Sequence, residues 1–383
     1  MIFEERYRIL LSACQDIRRH RERLAKPNLV GQILAEIGMD VPSDVLLAHI
    51  VAEALLRRVD RNLLAGKNIY LQQFEISQID LFSLLPRAYP HVPQSHAIAN
   101  QYLAHALRQT SAPALLDVGV GKGSQVIALL RTLAADPGRL TRLRVVAVDP
   151  NTQHLTEATA SIRGMQPDLP FAVEVLPLRA LIEQCEAPQL QATVAGASAV
   201  AINAAYTLHH TFHAPNDLEQ RTQVLRRLGT LRPRVLTLIE PSANHDTEQL
   251  PKRVHSVWEH FGTVFDLIDR SDASPIEKFA IKEKFFGREV RDILGTSDTF
   301  RCERHEPYES WLLRLTKAGM RPYVMRPEGL EGADPGPCEG PGLRITLPDH
   351  CSVSVREGLV RLGYRGVPLI AVFAYSCPEG GAS

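Results

Sequence analysis

Apolar positions in the first 110 residues recur with the spacing of a helix surface. In FEERYRILLSACQDIRRHRERLA, apolar residues stand at 7, 10, 11, 14 and 17, which places them on one face of a helix. The pattern is repeated after a capping Ser43 and Asp44, and again from Ser95. Residues 1–110 are therefore predicted to form an N-terminal helical cap.

The pattern changes at Ala114, where short and continuously apolar runs alternate with helical stretches. The runs are ALLDV, RLRVVAVDP, FAVEVLPL, SAVAINAAY and PRVLTLIEP. Continuous apolarity indicates strands buried on both faces, as in a parallel sheet that lies between helices. Residues 111–383 are thus predicted to form an α/β core with a doubly wound, mostly parallel Rossmann-like sheet. In such a sheet, ligands bind outside the carboxyl ends of the strands.

Two later segments extend this core. A long, charged helical stretch follows the fifth strand after Pro241 and is predicted to form a helical lid insert at about 246–300. Near the C-terminus, CSVSVREGLVRLGY and VPLIAVFAYS are predicted to be strands, with a turn at Glu357 and Gly358.

Charge and composition exclude several classes of protein. Lys and Arg together number 43, as do Asp and Glu, and the resulting zero net charge argues against nucleic acid as the main partner. The six cysteines are scattered and include no C-x-x-C pair, which favours reduced thiols. We find no signal peptide and no apolar run long enough to span a membrane. We therefore expect a cytoplasmic protein without a membrane partner.

A glycine-rich turn follows the first strand of the core. Asp117 ends that strand, and Gly119, Gly121 and Gly123 come at alternate positions after it. The spacing matches neither the dinucleotide motif G-x-G-x-x-G nor the phosphate loop G-x-x-x-x-G-K-[ST]. A second acid, Asp149, stands at the tip of the next strand, where a carboxylate can accept both ribose hydroxyls of a nucleoside.

These features predict a site for S-adenosylmethionine, because this cofactor carries no phosphate and needs room for its amino-acid tail beside the backbone. LLDVGVGKGS is similar to the first motif of Rossmann-like methyltransferases. The predicted cofactor-binding residues are Asp117, Gly119, Gly121, Gly123, Asp149 and Asn203. In the alternative interpretation, the glycines only allow close packing of strand and helix, and Asp149 only caps a helix that begins at Pro150.

Motifs along nearly the whole chain resemble those of the GRAS family. The stretch FSLLPRAYPHVPQSHAIANQYLAHAL is similar to that family's A-H-x-x-A-N-Q region, and VAINAAYTLHH to its V-N-x-x-x-x-L-H-x-L segment. VLTLIEPSANHDT resembles V-x-x-x-E-x-x-A-N-H, and FRCERHEPYESWLLRLTKAGMRP resembles R-x-E-R-H-E…W-x-x-R-L-x-x-A-G-F. The sequence is identified as a member of this family.

The resemblance implies two classes of function. Plant members act in transcriptional regulation by contacting other proteins and often lack the glycine-rich turn, whereas bacterial members are thought to be small-molecule methyltransferases. Because this chain keeps the turn, it looks like the bacterial members. We expect an S-adenosylmethionine-dependent methyltransferase that acts on a small hydroxyl- or amine-bearing metabolite. The alternative is a non-catalytic ligand- or protein-binding regulatory module.

The same motifs supply the candidate functional residues. Groups that follow strands four and five surround the transferable methyl in such folds, and a base is often needed to remove a proton. We expect Glu240, His245 and His209 to be catalytic. The residues expected to bind the substrate are His96, Asn100, Tyr206 and Asn244. The sequence leaves a homodimer possible.

Two histidine-containing runs suggest other kinds of site. His209 and His213 lie one turn apart if helical, but no nearby cysteine or carboxylate pair completes a zinc site before Pro215, so we expect no metal. The run Arg304-His305-Glu306 favours a structural ion-paired network that braces the lid.

Overall fold

The computed structural model describes residues 3–20, 41–59, 75–211, 219–325, 343–348 and 350–378. Its centre is a nine-stranded sheet in which β6 pairs with β9 and the remaining strands follow the order β3-β2-β1-β4-β5-β9-β8-β7. The strands are β1 (Ala114–Val118), β2 (Arg142–Val148), β3 (Ala172–Leu178), β4 (Val200–Ala205), β5 (Val235–Pro241), β6 (Arg321–Pro322), β7 (Cys351–Arg356), β8 (Leu359–Tyr364) and β9 (Val367–Ser376).

The five apolar runs form the parallel part of this sheet. Strands β1 to β5 pair in parallel, whereas β9 runs antiparallel to β5 and extends the sheet toward β8 and β7. Every residue of β1 is buried, because helices cover both faces of the sheet. The prediction of an α/β protein with a mostly parallel, Rossmann-like sheet is confirmed. The turn at Glu357 and Gly358 joins β7 to β8.

Helices fill the layers on either side of the sheet and the region beyond it. They are α1 (Phe3–His20), α2 (Ser43–Val59), α3 (Gln78–Phe82), α4 (Leu85–Ala88), α5 (His91–Leu107), α6 (Ser124–Ala135), α7 (Thr152–Gly164), α8 (Ala187–Val194), α9 (Gln220–Gly229), α10 (Leu250–Asp269), α11 (Pro275–Phe279), α12 (Gly287–Gly295) and α13 (Tyr308–Lys317). A π-helix, Ala280–Phe286, joins α11 to α12.

The two helical segments predicted on either side of the core pack together. Helices α1 and α2 contact α10, and α2 also contacts α12, so the N-terminal helices and those after β5 share one packed group. Helix α5, which the sequence assigns to the cap, instead contacts β4, β5 and β9. It therefore belongs to the layer that covers the sheet. No helix among the described residues has the length and apolar character needed to cross a bilayer.

Candidate functional site

A cleft of about 300 Å³ opens at the carboxyl ends of β1, β2 and β4. This is the edge of the sheet where the sequence predicts a ligand. Of the predicted site residues, those that line this strand-tip cleft are Asp117, Gly119, Gly121, Asp149, Asn203, Tyr206 and His96.

The cover of the strand-tip cleft comes from the two short helices before α5. Ile79 and Phe82 of α3, together with Ser83 and Pro86, face the glycine-rich turn. The described residues of α10 to α12 do not line the cleft. Helices α10 and α12 contact α2, and α10 also contacts α1, so these two helices of the insert pack beside the N-terminal helices.

The three glycines of the turn all adopt positive φ angles, of 75°, 52° and 77°. A Cβ at Gly119 would lie 2.2 Å from Thr207 Oγ1, and one at Gly123 would lie 3.3 Å from Ala158 Cβ in α7. The close approach of other protein atoms thus explains why Gly119 and Gly123 are glycines. At Gly121, a Cβ would lie 3.1 Å from Ile79 Cδ1 of the cover. The turn is shaped for tight packing and also forms one wall of the strand-tip cleft.

Asp149 has backbone partners in the structure. Its Oδ2 accepts a hydrogen bond from Gly121 N at 3.2 Å, and its Oδ1 accepts one from Asn151 N at 2.8 Å. The N-terminal cap of α7 is Asn151, whose side chain accepts hydrogen bonds from Gln153 N and His154 N. Burial raises the pKa of the Asp149 carboxyl above its usual value, while the two backbone N–H groups oppose that rise.

Below the strand-tip cleft lies a buried network of amide and carboxyl groups. Asn203 Nδ2 donates to Asp117 Oδ1 at 2.6 Å, and Asn203 Oδ1 accepts from Thr237 Oγ1 at 2.8 Å. Gln125 connects Asn203 to Asn100, whose Nδ2 donates to the backbone oxygen of Gln125. Burial raises the pKa of Asp117 to about 6, against the hydrogen bond from Asn203. Asn100 and Asn203 therefore support the floor of the cleft, and sequence reasoning missed Gln125.

An aromatic group forms the side of the strand-tip cleft next to its cover. Tyr206 has a positive φ of 53°, and its hydroxyl lies 2.8 Å from Ser95 Oγ. Its ring makes edge contacts with Phe82 and with His96, with ring centroids 5.8 Å apart in both pairs. Burial lowers the pKa of His96 to about 4, so this ring is neutral at pH 7.

The predicted catalytic residues lie elsewhere, in a buried group beside the tips of β4 and β5. This histidine–glutamate cluster consists of His209, Glu240, His245, Glu303 and His305, all at most 4% exposed. Glu240 Oε1 accepts from Leu208 N at 2.8 Å, and Glu240 Oε2 lies 2.5 Å from His209 Nδ1. His245 Nδ1 lies 3.0 Å from His305 Nδ1.

Electrostatics differ between the members of this cluster. Burial alone would lower the pKa of His209, but Glu240 and Glu303 outweigh it and raise that pKa to about 10. Burial lowers the pKa of His305 to about 4 and that of His245 well below its usual value. Neither Glu240, His209 nor His245 is among the described residues that line the strand-tip cleft.

The remaining predicted residues fall at several places. Asn244 is exposed and is not among the described residues lining the strand-tip cleft. Arg304 pairs with Asp246 at 2.8 Å, and Glu306 pairs with Arg314 at 2.6 Å, whereas His305 joins the histidine–glutamate cluster. The ion pairs expected for Arg304 and Glu306 are thus present. His213 lies outside the described residues.

Comparison with known proteins gives consistent matches to one family. The sequence profile of the GRAS domain family matches residues 8–334. DELLA protein 2 of Medicago truncatula is 26% identical over 75% of this chain, and Chitin-inducible gibberellin-responsive protein 2 of Oryza sativa is 28% identical over 87%. The chain spans 53% and 61% of the lengths of these two relatives.

A solved structure shares the fold. The crystal structure of SCL7 from Oryza sativa superimposes with a TM-score of 0.76 and 21% sequence identity, covering 96% of this chain and 98% of that one. At this identity the match establishes the fold alone.

The comparisons overturn the prediction of an enzyme. The relatives carry the names of a DELLA protein and of a gibberellin-responsive protein, and neither name is that of an enzyme. The geometry gives a physical reason, because Glu240, His209 and His245 hydrogen-bond within the protein interior. The prediction that the chain is an S-adenosylmethionine-dependent methyltransferase acting on a small-molecule substrate is therefore wrong.

The family resemblance, in contrast, is confirmed. The match of the family profile extends over most of the sequence and includes all the quoted motifs up to the run that ends at Pro322. The likeness to bacterial members stays a prediction. The chain belongs to the GRAS domain family.

Proposed function

We propose that this chain is a non-catalytic GRAS-type regulatory module whose strand-tip cleft binds a nucleoside ligand and which acts through contact with another protein. S-adenosylmethionine is the ligand that we propose, held intact and not used as a methyl donor. One observation carries the proposal: the cleft keeps a lined volume of about 300 Å³, while the predicted catalytic groups hydrogen-bond elsewhere. Ligand sites in proteins begin at about this size.

The acceptor capacity of Asp149 supports a nucleoside. An ionised carboxylate offers about four lone-pair sites, and two of those on Asp149 accept the N–H groups of Gly121 and Asn151. The other two are free to accept the hydroxyls of a ribose. These two backbone bonds also fix the orientation of the carboxylate, so a ligand does not have to order it.

The aromatic group supports a flat base. Phe82, Tyr206 and His96 line the strand-tip cleft with their rings in mutual contact. A base that stacks on such a ring typically gains about 1–3 kcal/mol. The two acids at the strand tips, Asp117 and Asp149, favour a ligand that carries positive charge near the glycine-rich turn, as a sulfonium does.

The position of the cover supports a regulatory role. Helix α3 forms the cover through Ile79 and Phe82, and it is joined to the glycine-rich turn by an ion pair between Asp80 and Lys122. A ligand that contacts both sides stabilises the covered arrangement, and a protein partner that contacts α3 distinguishes the two states. The cytoplasmic location and the possible homodimer stay predictions.

Isothermal titration calorimetry on the full chain tests the proposal with S-adenosylmethionine and S-adenosylhomocysteine as probes. We expect binding in the micromolar range, weakened at least about tenfold by Asp149→Asn, since two acceptor sites for the ribose are changed. Ser83→Trp, at the exposed edge of the cover, is expected to weaken binding by obstructing the cleft without changing the strand tips. Asp168→Asn, at an exposed position in the 3-10 helix Gln166–Asp168 before β3, is the matched control and should bind like the wild type.

The fate of the ligand tests the non-catalytic part. After incubation and release, mass spectrometry should recover S-adenosylmethionine unchanged. The absence of binding to the folded wild type would refute the nucleoside site. Binding that is equal in the wild type and in both Asp149→Asn and Ser83→Trp would place it elsewhere. Methyl transfer to any acceptor with turnover would refute the regulatory function.

A further inference from the structure

We propose that His209, Glu303 and His305 form a binding site for one divalent cation of the zinc class inside the histidine–glutamate cluster. The three side chains are buried, and one ligand atom from each lies within 4.8 Å of the others. Two imidazole nitrogens and one carboxylate are a ligand set that zinc accepts in proteins. This departs from the expectation, drawn from the sequence, that no metal is bound.

The spacing of these atoms suits a shared ion better than hydrogen bonds. Glu303 Oε2 lies 3.4 Å from His209 Nε2 and 3.4 Å from His305 Nε2. Hydrogen bonds between nitrogen and oxygen are typically about 2.7–3.2 Å long. Ligands at about 2.0–2.1 Å from a tetrahedral zinc ion are about 3.3 Å from one another, by the geometry of a tetrahedron. The two measured separations match that edge.

The other ring nitrogens are held in the way that metal-binding histidines require. His209 Nδ1 bonds to Glu240 Oε2, and Glu240 is in turn fixed by Leu208 N, so Nε2 of His209 points to Glu303. A carboxylate behind a histidine fixes the tautomer and raises the basicity of the coordinating nitrogen. His305 Nδ1 lies against His245 Nδ1, which leaves its Nε2 directed at the same carboxylate.

Charge and burial also favour a cation here. Glu303 is fully buried, and its Oε2 has no partner closer than the two imidazole nitrogens at 3.4 Å among the described residues. Glu240, also fully buried, faces the same His209 ring. An ionised carboxylate in the interior is costly unless matched by positive charge. A divalent cation beside Glu303 would supply that charge in place of a proton on His209, since metal binding to histidine releases protons.

The surroundings leave space for a fourth ligand. A cavity of about 40 Å³ is lined by His209, His305 and Glu289, and a water molecule needs only about 10–15 Å³ on a comparable measure. On the other side, His210 Nδ1 lies 3.2 Å from Glu303 Oε1. The proposed ion would join the segment after β4 to residues 301–306, which are far apart in sequence, and would therefore stabilise the fold.

Metal analysis of the untagged full chain, purified from zinc-supplemented cells, tests this site. We expect about one zinc per chain by mass spectrometry in the wild type, falling to less than about a fifth in Glu303→Gln and in His305→Gln. His91→Gln replaces an equally buried histidine that bonds to Gly363 O, and it should keep its zinc. Cobalt(II) in place of zinc should give weak visible bands without thiolate charge transfer, because the three protein ligands are nitrogen and oxygen.

Chelation of the wild type provides a readout that needs no variant. Removal of the metal should lower the melting temperature, and zinc should restore it, whereas chelation should not shift Glu303→Gln. Folded wild type with no zinc and no response to added zinc would overturn the proposal. So would a cobalt–thiolate band, or retention of zinc in both Glu303→Gln and His305→Gln, because either places the ion at other residues.

Discussion

The strand-tip cleft and the histidine–glutamate cluster lie at the same edge of one sheet, yet they are built differently. The cleft follows β1, β2 and β4, and its walls combine the glycine-rich turn with the aromatic rings of Phe82, Tyr206 and His96. The cluster lies beside the tips of β4 and β5 and consists of long ionisable side chains that water does not reach. The first region keeps an open volume, whereas the second packs ionisable side chains against one another.

This difference separates a surface suited to a ligand from one suited to holding the fold together. In the cleft, Asp149 is fixed by the backbone of two adjacent loops, so its carboxylate keeps free acceptor sites. In the cluster, both carboxylate oxygens of Glu240 have partners, Leu208 N and His209 Nδ1. The carboxylate of Glu303 lies next to the imidazoles of His209, His210 and His305. The position at a strand tip alone therefore does not indicate catalysis.

The largest effect is expected from Glu240→Ala, which removes the centre of the cluster. His209 then loses its Nδ1 partner and Leu208 N is left unpaired, so we expect a loss of about 3–5 kcal/mol in the free energy of unfolding. Urea denaturation measures it. Glu248→Ala, at an exposed position in the next segment, should stay within about 0.5 kcal/mol of the wild type. A loss below about 1 kcal/mol for Glu240→Ala would remove the contrast between the two regions.

Below the cleft, the titration of Asp117 gives the next largest effect. Its folded pKa of about 6 exceeds the unfolded value of 3.8, so between these two pH values the unfolded chain releases a proton that the folded chain keeps. Stability contributed by this group is therefore present below about pH 4 and lost as pH rises to about 6. Two pKa units correspond to about 3 kcal/mol.

Asp117→Asn removes this titration while an amide oxygen can still accept from Asn203. We expect the variant to be more stable than the wild type above pH 6, by at most about 3 kcal/mol, and similar to it near pH 4. Denaturation at a series of pH values checks this, with Asp168→Asn as the exposed control. A difference that does not change with pH would show that Asp117 is ionised in the fold throughout.

The parallel sheet and the site at its edge could be predicted from the sequence because both depend on local patterns. Continuously apolar runs give strands such as β1 and β4, and polar residues directly after them must lie at one edge. The cleft residues Asp117, Gly119, Gly121 and Asp149 follow from this rule alone. The turn at Gly358 could also be predicted from its place between two strand-like runs, and its φ of 67° is one that favours glycine.

Glu303 and His305 could not be placed in the histidine–glutamate cluster this way, because they meet His209, Glu240 and His245 only through tertiary packing. His245 and His305 are 60 residues apart, and His209 reaches Glu303 from still farther along the chain. The residues near His209 in the sequence include neither Glu303 nor His305. The roles of α3 and Gln125 were missed for the same reason, since nothing in their local pattern shows that they reach the cleft.

Gly119→Ala tests how tightly the glycine-rich turn of the cleft is packed. Gly119 and Gly196 have similar φ angles of 75° and 78°, but a Cβ at Gly196 would meet nothing within 4 Å. Alanine at Gly196 should therefore cost about 1 kcal/mol for the backbone alone. Alanine at Gly119 should cost about 1–3 kcal/mol more, because it also collides with Thr207 Oγ1.

The additional variant Thr207→Ser separates the causes, since it keeps the hydroxyl and removes only the methyl group. Combined with Gly119→Ala it should recover little stability, whereas Thr207→Ala should recover more because Oγ1 is the atom in closest approach. Thermal unfolding measures the stability of the two glycine variants and of the two double variants. Equal losses of stability for Gly119→Ala and Gly196→Ala would mean that the turn can accommodate a Cβ at Gly119 without a clash.

The smallest effect is expected at the mouth of the cleft, where Lys122 pairs with Asp80 of α3 at 2.5 Å. Their side chains are 37% and 52% exposed, so water screens the pair, unlike the ion pairs of the cluster. A double-mutant cycle with Lys122→Ala and Asp80→Ala should give a coupling of about 0.2–1 kcal/mol. The coupling energy should shrink in about 1 M salt, where charges are screened beyond about 3 Å. The control Lys252→Ala, at an exposed position on α10, should change stability by an amount that does not depend on salt in this way. A coupling above about 2 kcal/mol that persists in salt would mean that this pair behaves like the buried charges of the cluster. The cover would then be a fixed part of the fold, and ligand binding would not order it.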